Sequence, residues 1–136
     1  MNPRVMASFL GAITLALGIG GLVSPDRVMA FVGFRSSTEA NQVLALTEAR
    51  AVYGGMFAML GALTLWGAID PGGKRAWLLM AALLWLGLFA GRAVGISIDG
   101  DPGVFGWFAV VFEGAFGIAL LWSALAHLPR ANAQVQ

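Results

Sequence analysis

The chain has no cysteine. Disulfide exchange, thiolate metal sites and cysteine nucleophiles are thereby excluded, and the redox compartment leaves no trace in the sequence. Histidine is nearly as scarce: His127 stands alone, and one imidazole builds neither a metal site nor a pair of haem ligands. Charge is the third shortage. Only 11% of the 136 residues are charged, against about 25% in an ordinary soluble domain. Such a chain cannot cover itself with polar surface, and lipid is its natural solvent. The net charge of +1 and the scatter of the basic residues leave no electrostatic footprint for nucleic acid. No linker, repeat or low-complexity run divides the chain, so residues 1–136 read as a single transmembrane domain.

Apolar residues make up 59% of the sequence, and they are grouped. Four segments are long enough to cross a bilayer core, which takes roughly 20 helical residues. They run from about Val5 to Val23, Glu48 to Ile69, Ala76 to Ile98 and Val104 to Leu128. Between them stand "SPD" at 24–26, "DPGGKR" at 70–75 and "DGDPG" at 99–103, with "PR" at 129–130 after the last. Proline and glycine at these points end helices by removing a donor or permitting a turn. The expected fold is all-α: an integral-membrane four-helix transmembrane bundle. The first apolar run is longer than the ~7–15 residues of a signal peptide, so it reads as a retained span, and Gly11, Gly18, Gly20 and Gly21 suit it to helix packing.

Residues 24–47 are more than a loop. Ser24, Pro25 and Asp26 form a helix start, with proline at the first position. The "RVMAFVGF" that follows is too short to span, and is expected as an interfacial helix with Arg27 and Arg35 toward headgroups. "SSTE" is a capping box, Ser36 with Glu39, which starts the second long helix near residue 37. With the N-terminus inside, the inner loops hold Arg4, Lys74, Arg75 and Arg130 and the outer ones Arg27 and Arg35. The positive-inside rule then places both termini in the cytoplasm. Trp66, Trp77 and Trp122 fall at the inner interface, Trp107 at the outer, and Trp85 at mid-span against a neighbour or ligand.

On this topology the charges converge. Glu48 and Arg50 open the second helix, Arg92 lies in the last third of the third, and Glu113 lies about ten residues into the fourth. All four fall in the outer half, beneath the turn bearing Asp99 and Asp101. A charge in hydrocarbon is costly unless paired or wetted, so paired, inward-facing charges are expected. At ~100° per residue, Arg50, Tyr53, Gly54, Phe57 and Gly61 share one face, assigned to the interior, while Glu48 lies nearly opposite. Glu48 is expected to meet another neighbour or to pair with Arg27 or Arg35. Glycines 87, 91 and 95 on the third helix form small-xxx-small motifs that invite a close helix neighbour, with Gly114 and Gly117 as a matching patch and Arg92 reaching for Glu113.

"EARAVYGG", "GR", the "DGDP" turn and the lone glutamate of the fourth helix resemble an uncharacterised bacterial family of small four-helix membrane proteins. That family is defined by a domain of unknown function and is similar in layout to DoxX-like proteins. The resemblance covers nearly the whole chain; its E-x-R-x-x-Y-G-G element is matched by Glu48, Arg50, Tyr53, Gly54 and Gly55. It implies a bacterial inner (plasma) membrane location and no established activity, although some DoxX-like proteins are linked to quinone-coupled oxidation.

Taken together, the residues describe a binding module for a lipophilic, polar-headed molecule such as a lipid, isoprenoid or quinone. Arg50 and Arg92 would hold the head, Tyr53 would donate a hydrogen bond and Glu113 would balance the charge, with Glu48 and Asp99 in supporting positions. No catalytic residue, metal ligand or cofactor is assigned. Membrane lipids are expected partners, with a homo-oligomer or larger membrane complex left open. Four rivals stand beside this reading: an ion-pair network that only fixes helix register, an accessory subunit of such a complex, a small transporter, and a lipid enzyme using Glu113 for acid–base chemistry. Arginines beside the acids disfavour proton exchange near neutrality, which counts against the transporter.

Overall fold

The structure, a computed structural model, describes residues 2–32 and 39–126, with side chains omitted for 39–41. It is all-α. Helix α1 covers Pro3–Val23, α2 Pro25–Phe31 and α3 Glu39–Ala49. A π-helical segment, Arg50–Met56, joins α3 to α4, Phe57–Ile69, in one continuous rod. Helices α5, Arg75–Asp99, and α6, Gly103–Leu125, complete the bundle. Four helices are long and apolar enough to cross a membrane: α1, the rod over Gln42–Ile69, α5 and α6. This is the architecture of a multi-pass membrane protein.

Local chemistry sets the helix ends. Asn2 Oδ1 accepts from the Arg4 amide at 2.9 Å, and Pro3 occupies the first turn where no N–H is needed. Pro25 ends α1, because the residue before proline is driven out of the α region; Ser24 has φ −135° and ψ 64°. The proline-led start of α2 is as expected, but Ser24 caps it without a side-chain hydrogen bond. Between α4 and α5, Asp70 accepts from the amides of Gly73 (3.0 Å) and Lys74 (2.8 Å), closing a tight turn. Between α5 and α6, Gly100 and Gly103 take φ of 98° and 70°, a region costly for other residues. The Ser36–Glu39 capping box, Arg35, His127 and Arg130 lie outside the described residues or side chains.

The bundle is two helix pairs. Helix α1 packs mainly on α4 and the π segment, and α5 mainly on α6. Buried residues Ala7, Gly11, Thr14, Gly18 and Gly21 form one stripe of α1 at helical spacing. A Cβ on Gly18 would strike the Ala58 backbone, one on Gly21 the Tyr53 carbonyl, and one on Gly61 the Leu15 backbone. Thr14 and Thr64, both fully buried, return their hydroxyls to Leu10 O (2.9 Å) and Leu60 O (2.7 Å). Each thus satisfies itself inside its own helix.

This corrects the expected site of close packing. Among the described residues, Gly87 and Gly91 of α5 have no atom near a would-be Cβ, and Gly95 meets only the Asp99 side chain. The glycine ridge of α5 therefore faces out of the bundle. Contact with α6 runs instead through Leu86 and Phe89, which fill the smooth patch at Gly117 and Gly114. That half of the expectation holds, with large side chains against glycine rather than glycine against glycine.

Candidate functional site

The half of the bundle toward α2 and the α5–α6 turn holds Arg92 and Glu113, with Asp99 and Asp101 at the turn itself. Arg92 Nε lies 2.8 Å from both Oε1 and Oε2 of Glu113. Glu113 is 4% exposed, whereas the arginine side chain is 35% exposed. Helix α5 presents Arg92 and α6 presents Glu113 because the two helices pack closely over Gly114 and Gly117. The pair uses one arginine nitrogen; among the described residues, Nη1 and Nη2 of Arg92 have no hydrogen-bond partner. A guanidinium carries five N–H donors, so most of its capacity is left over.

Arg92 and Glu113 stand in the wall of a cavity of about 370 Å³. That volume lies within the ~300–1,000 Å³ typical of small-molecule sites. The rest of the wall is apolar and strongly aromatic: Tyr53, Phe57, Trp85, Phe105, Phe108 and Phe112, with Ile13 and Leu17 of α1. Helix α2 covers it with Val28 and Phe31, followed by Val32 at its C-cap, and the Phe31 ring meets Phe105 edge-on at 4.8 Å. Trp85 is 1% exposed and packs edge-on against Phe57 (5.4 Å) and Phe112 (5.7 Å). Its buried Nε1–H has no hydrogen-bond partner among the described residues. Tyr53 stacks on Phe57 at 6.2 Å, and its hydroxyl has no partner among the described residues. A second, smaller cleft of about 280 Å³ adjoins the first through Arg92 and is lined by Asp99 and Asp101.

Arg92, Glu113 and Tyr53 thus line one cavity. Arg50 does not. It is exposed and absent from the cavity wall, and among the described residues neither it nor Glu48 has an ion-pair partner. The assignment of Arg50 to the bundle interior is corrected, and the cause is the π segment. An i→i+5 hydrogen-bond pattern puts an extra residue into the turn, so the inward stripe passes through Ala49, 1% exposed, and Gly54 rather than through Arg50. Glu48 is likewise exposed, without an ion pair to Arg27. Asp99 is exposed at the end of α5. Its neighbour Asp101 does the turn chemistry, accepting from Gly103 N at 3.1 Å and Trp107 Nε1 at 2.9 Å.

The aromatic wall was not assigned from the sequence. Its signal was present on α6, where Phe105, Phe108, Phe112 and Phe116 recur at three- and four-residue steps. Nothing in the pattern of α2 marks it as a cover rather than a membrane-surface helix.

A model of one family matches residues 3–124. The chain belongs to the family of the domain of unknown function DUF4345. No curated protein and no solved structure matches it. The family membership agrees with the expectation of an uncharacterised family, while the likeness to DoxX-like proteins is carried by no match. Chemically, this DUF4345 site offers a neutral ion pair with spare arginine donors, one phenol and an apolar aromatic wall. Among its described residues there is no group of three or more Asp, Glu or His side chains placed to hold a metal.

Proposed function

We propose that this protein binds a lipophilic, polar-headed molecule (a lipid, isoprenoid or quinone) in the cavity beneath α2. The observation that carries this reading is the Arg92–Glu113 pair set in the wall of an otherwise apolar cavity, with both Nη groups of the arginine unspent. An ion pair that served only helix register would be sealed, because unpaired donors in a low-dielectric interior cost free energy. Here a head-group oxygen would complete the arginine, Tyr53 would donate a second hydrogen bond, and the aromatic wall would take the apolar part. The head-group role falls to Arg92 and Tyr53; Arg50, near the emergence of α3, would face lipid headgroups instead. A transporter working through Glu113 is disfavoured because both its carboxylate oxygens are engaged by Arg92.

Native mass spectrometry of gently extracted protein tests this. The wild type should retain an added mass of lipid size. Tyr53→Phe should lower its occupancy roughly three- to tenfold, the value of one hydrogen bond of about 1 kcal/mol. Arg92→Lys keeps the charge against Glu113 but loses the planar fork, and should lower occupancy at least as much. Circular dichroism should show both variants still helical. A protein that arrives bare, or equal occupancy in all three, would overturn the reading.

We further place the protein in a bacterial inner membrane with both termini in the cytoplasm. The support is Arg4, Lys74 and Arg75 at one end of the bundle against Arg27 and Arg50 at the other. Reporter fusions at residue 136 and within 99–103 should give opposite signals, and an external C-terminus would reverse the orientation.

A further inference from the structure

We infer that the cavity is loaded from the side, by an acyl or isoprenyl chain that lies in a groove between α4 and α5 with its polar head on Arg92. The inference rests on the proposal that the cavity is a ligand site, and adds its route and the shape of its ligand. Because α1 packs mainly on α4 and α5 mainly on α6, the α4–α5 seam is one of two loosely packed ones, with α1–α6, and it opens beside Arg92. The opening is a groove of about 480 Å³, walled by Met56 and Leu60 on one side and Leu84 and Leu88 on the other. Its lining is almost wholly apolar, and on helices long enough to span a membrane the fluid that bathes such a surface is lipid.

Arg92 is what joins the two spaces. It lines both the groove and the cavity, so one side chain separates a lipid-facing surface from the aromatic chamber. The guanidinium is tethered to Glu113 through Nε alone, which leaves its Nη donors to meet an oxyanion at the head of the groove. A chain lying along Leu84 and Leu88 would bring a phosphate or carboxylate to that point. Gly87 and Gly91 form part of the groove's lining and have open space where a Cβ would stand. Larger residues there would fill the groove without touching the chamber.

Trp85 reports on the chamber, since it lines the cavity while being 1% exposed. In a variant with Trp66, Trp77, Trp107 and Trp122 changed to Phe, it is the sole indole. The experiment places this variant in bilayers of phosphatidylcholine, or of phosphatidylglycerol, brominated on the acyl chains. Trp85 should lose most of its emission relative to unbrominated bilayers, and more with the anionic lipid than with the zwitterionic one. Adding Gly87→Leu and Gly91→Leu should restore most of that emission, whereas Gly20→Leu, at an equally open glycine of α1, should not. Unquenched Trp85 in both lipids would mean that no chain reaches the chamber, and would count against the ligand site itself. Strong quenching untouched by the two leucines would keep the site and overturn the side entrance. Quenching by the anionic lipid that is unchanged by Arg92→Lys, which loses the planar fork, would remove Arg92 as the head-group anchor.

Discussion

Arg92→Leu should destabilise the bundle more than Glu113→Gln, and the double substitution should cost less than the two losses added. The asymmetry follows from burial. Without the arginine, a carboxylate that is 4% exposed is left unpaired in the interior, which costs about 3–5 kcal/mol for a buried group. Without the glutamate, an arginine whose side chain is 35% exposed can turn its charge toward the mouth of the cavity, and a loss of about 1–2 kcal/mol is expected once that freedom is allowed for. Reversible unfolding in mixed micelles should return a coupling of about 1–3 kcal/mol for the pair. A parallel cycle with Arg50→Ala should be additive with Glu113→Gln, since Arg50 is on the outside of the rod. Additivity in the Arg92 cycle would show that the pair contributes nothing to the fold.

The pair was legible because charge is rare in this chain. Once hydropathy fixed four antiparallel spans, Arg92 and Glu113 had to lie at similar depth, and desolvation required each to find the other. Arg50 failed the same logic for a local reason. A helical-wheel argument assumes ~100° per residue, and the π segment over Arg50–Met56 breaks that assumption right after the residue in question. Gly54 and Gly55 within it gave a hint, since a backbone with so little side chain can widen its turn. The glycines of α1 were read as helix-packing residues and three of the four are, whereas the small-xxx-small motifs of α5 were expected to meet a close neighbour and do not. Gly87, Gly91 and Gly95 have better small-xxx-small spacing than the glycines of α1, yet the neighbour came to α1. The difference lies in what the opposite helix offers: α4 brings Gly61 and Ala58 to α1, while α6 brings Phe112 and Phe116 into the core beside α5. The aromatic chamber was the least visible feature, because it needs α2 folded over four other helices, a long-range arrangement that no window of sequence contains.

That same difference sets the second large effect. Gly18→Ala and Gly61→Ala should each cost about 2–3 kcal/mol, the upper range for overpacking, because the new methyl would meet backbone and not a yielding side chain. Ala58 and Leu15 are held in helical hydrogen bonds, so neither partner can give way without moving a whole helix. Gly20→Ala and Gly91→Ala have nothing in their path, and should gain up to about 0.5–1 kcal/mol from the better helix propensity of alanine. Thermal melts in the same detergent would separate the two classes, and equal effects in both would refute the α1–α4 crossing described above. Gly21 adds a functional consequence. Its missing side chain lets α1 rest on the carbonyl of Tyr53, whose ring lines the chamber. Gly21→Ala should therefore push the π segment away from α1 and lower occupancy of the bound molecule, where Gly20→Ala, one residue along the same helix, leaves it unchanged. Loss of occupancy with Gly20→Ala, or none with Gly21→Ala, would mean that the position of Tyr53 is not set by the glycine face of α1.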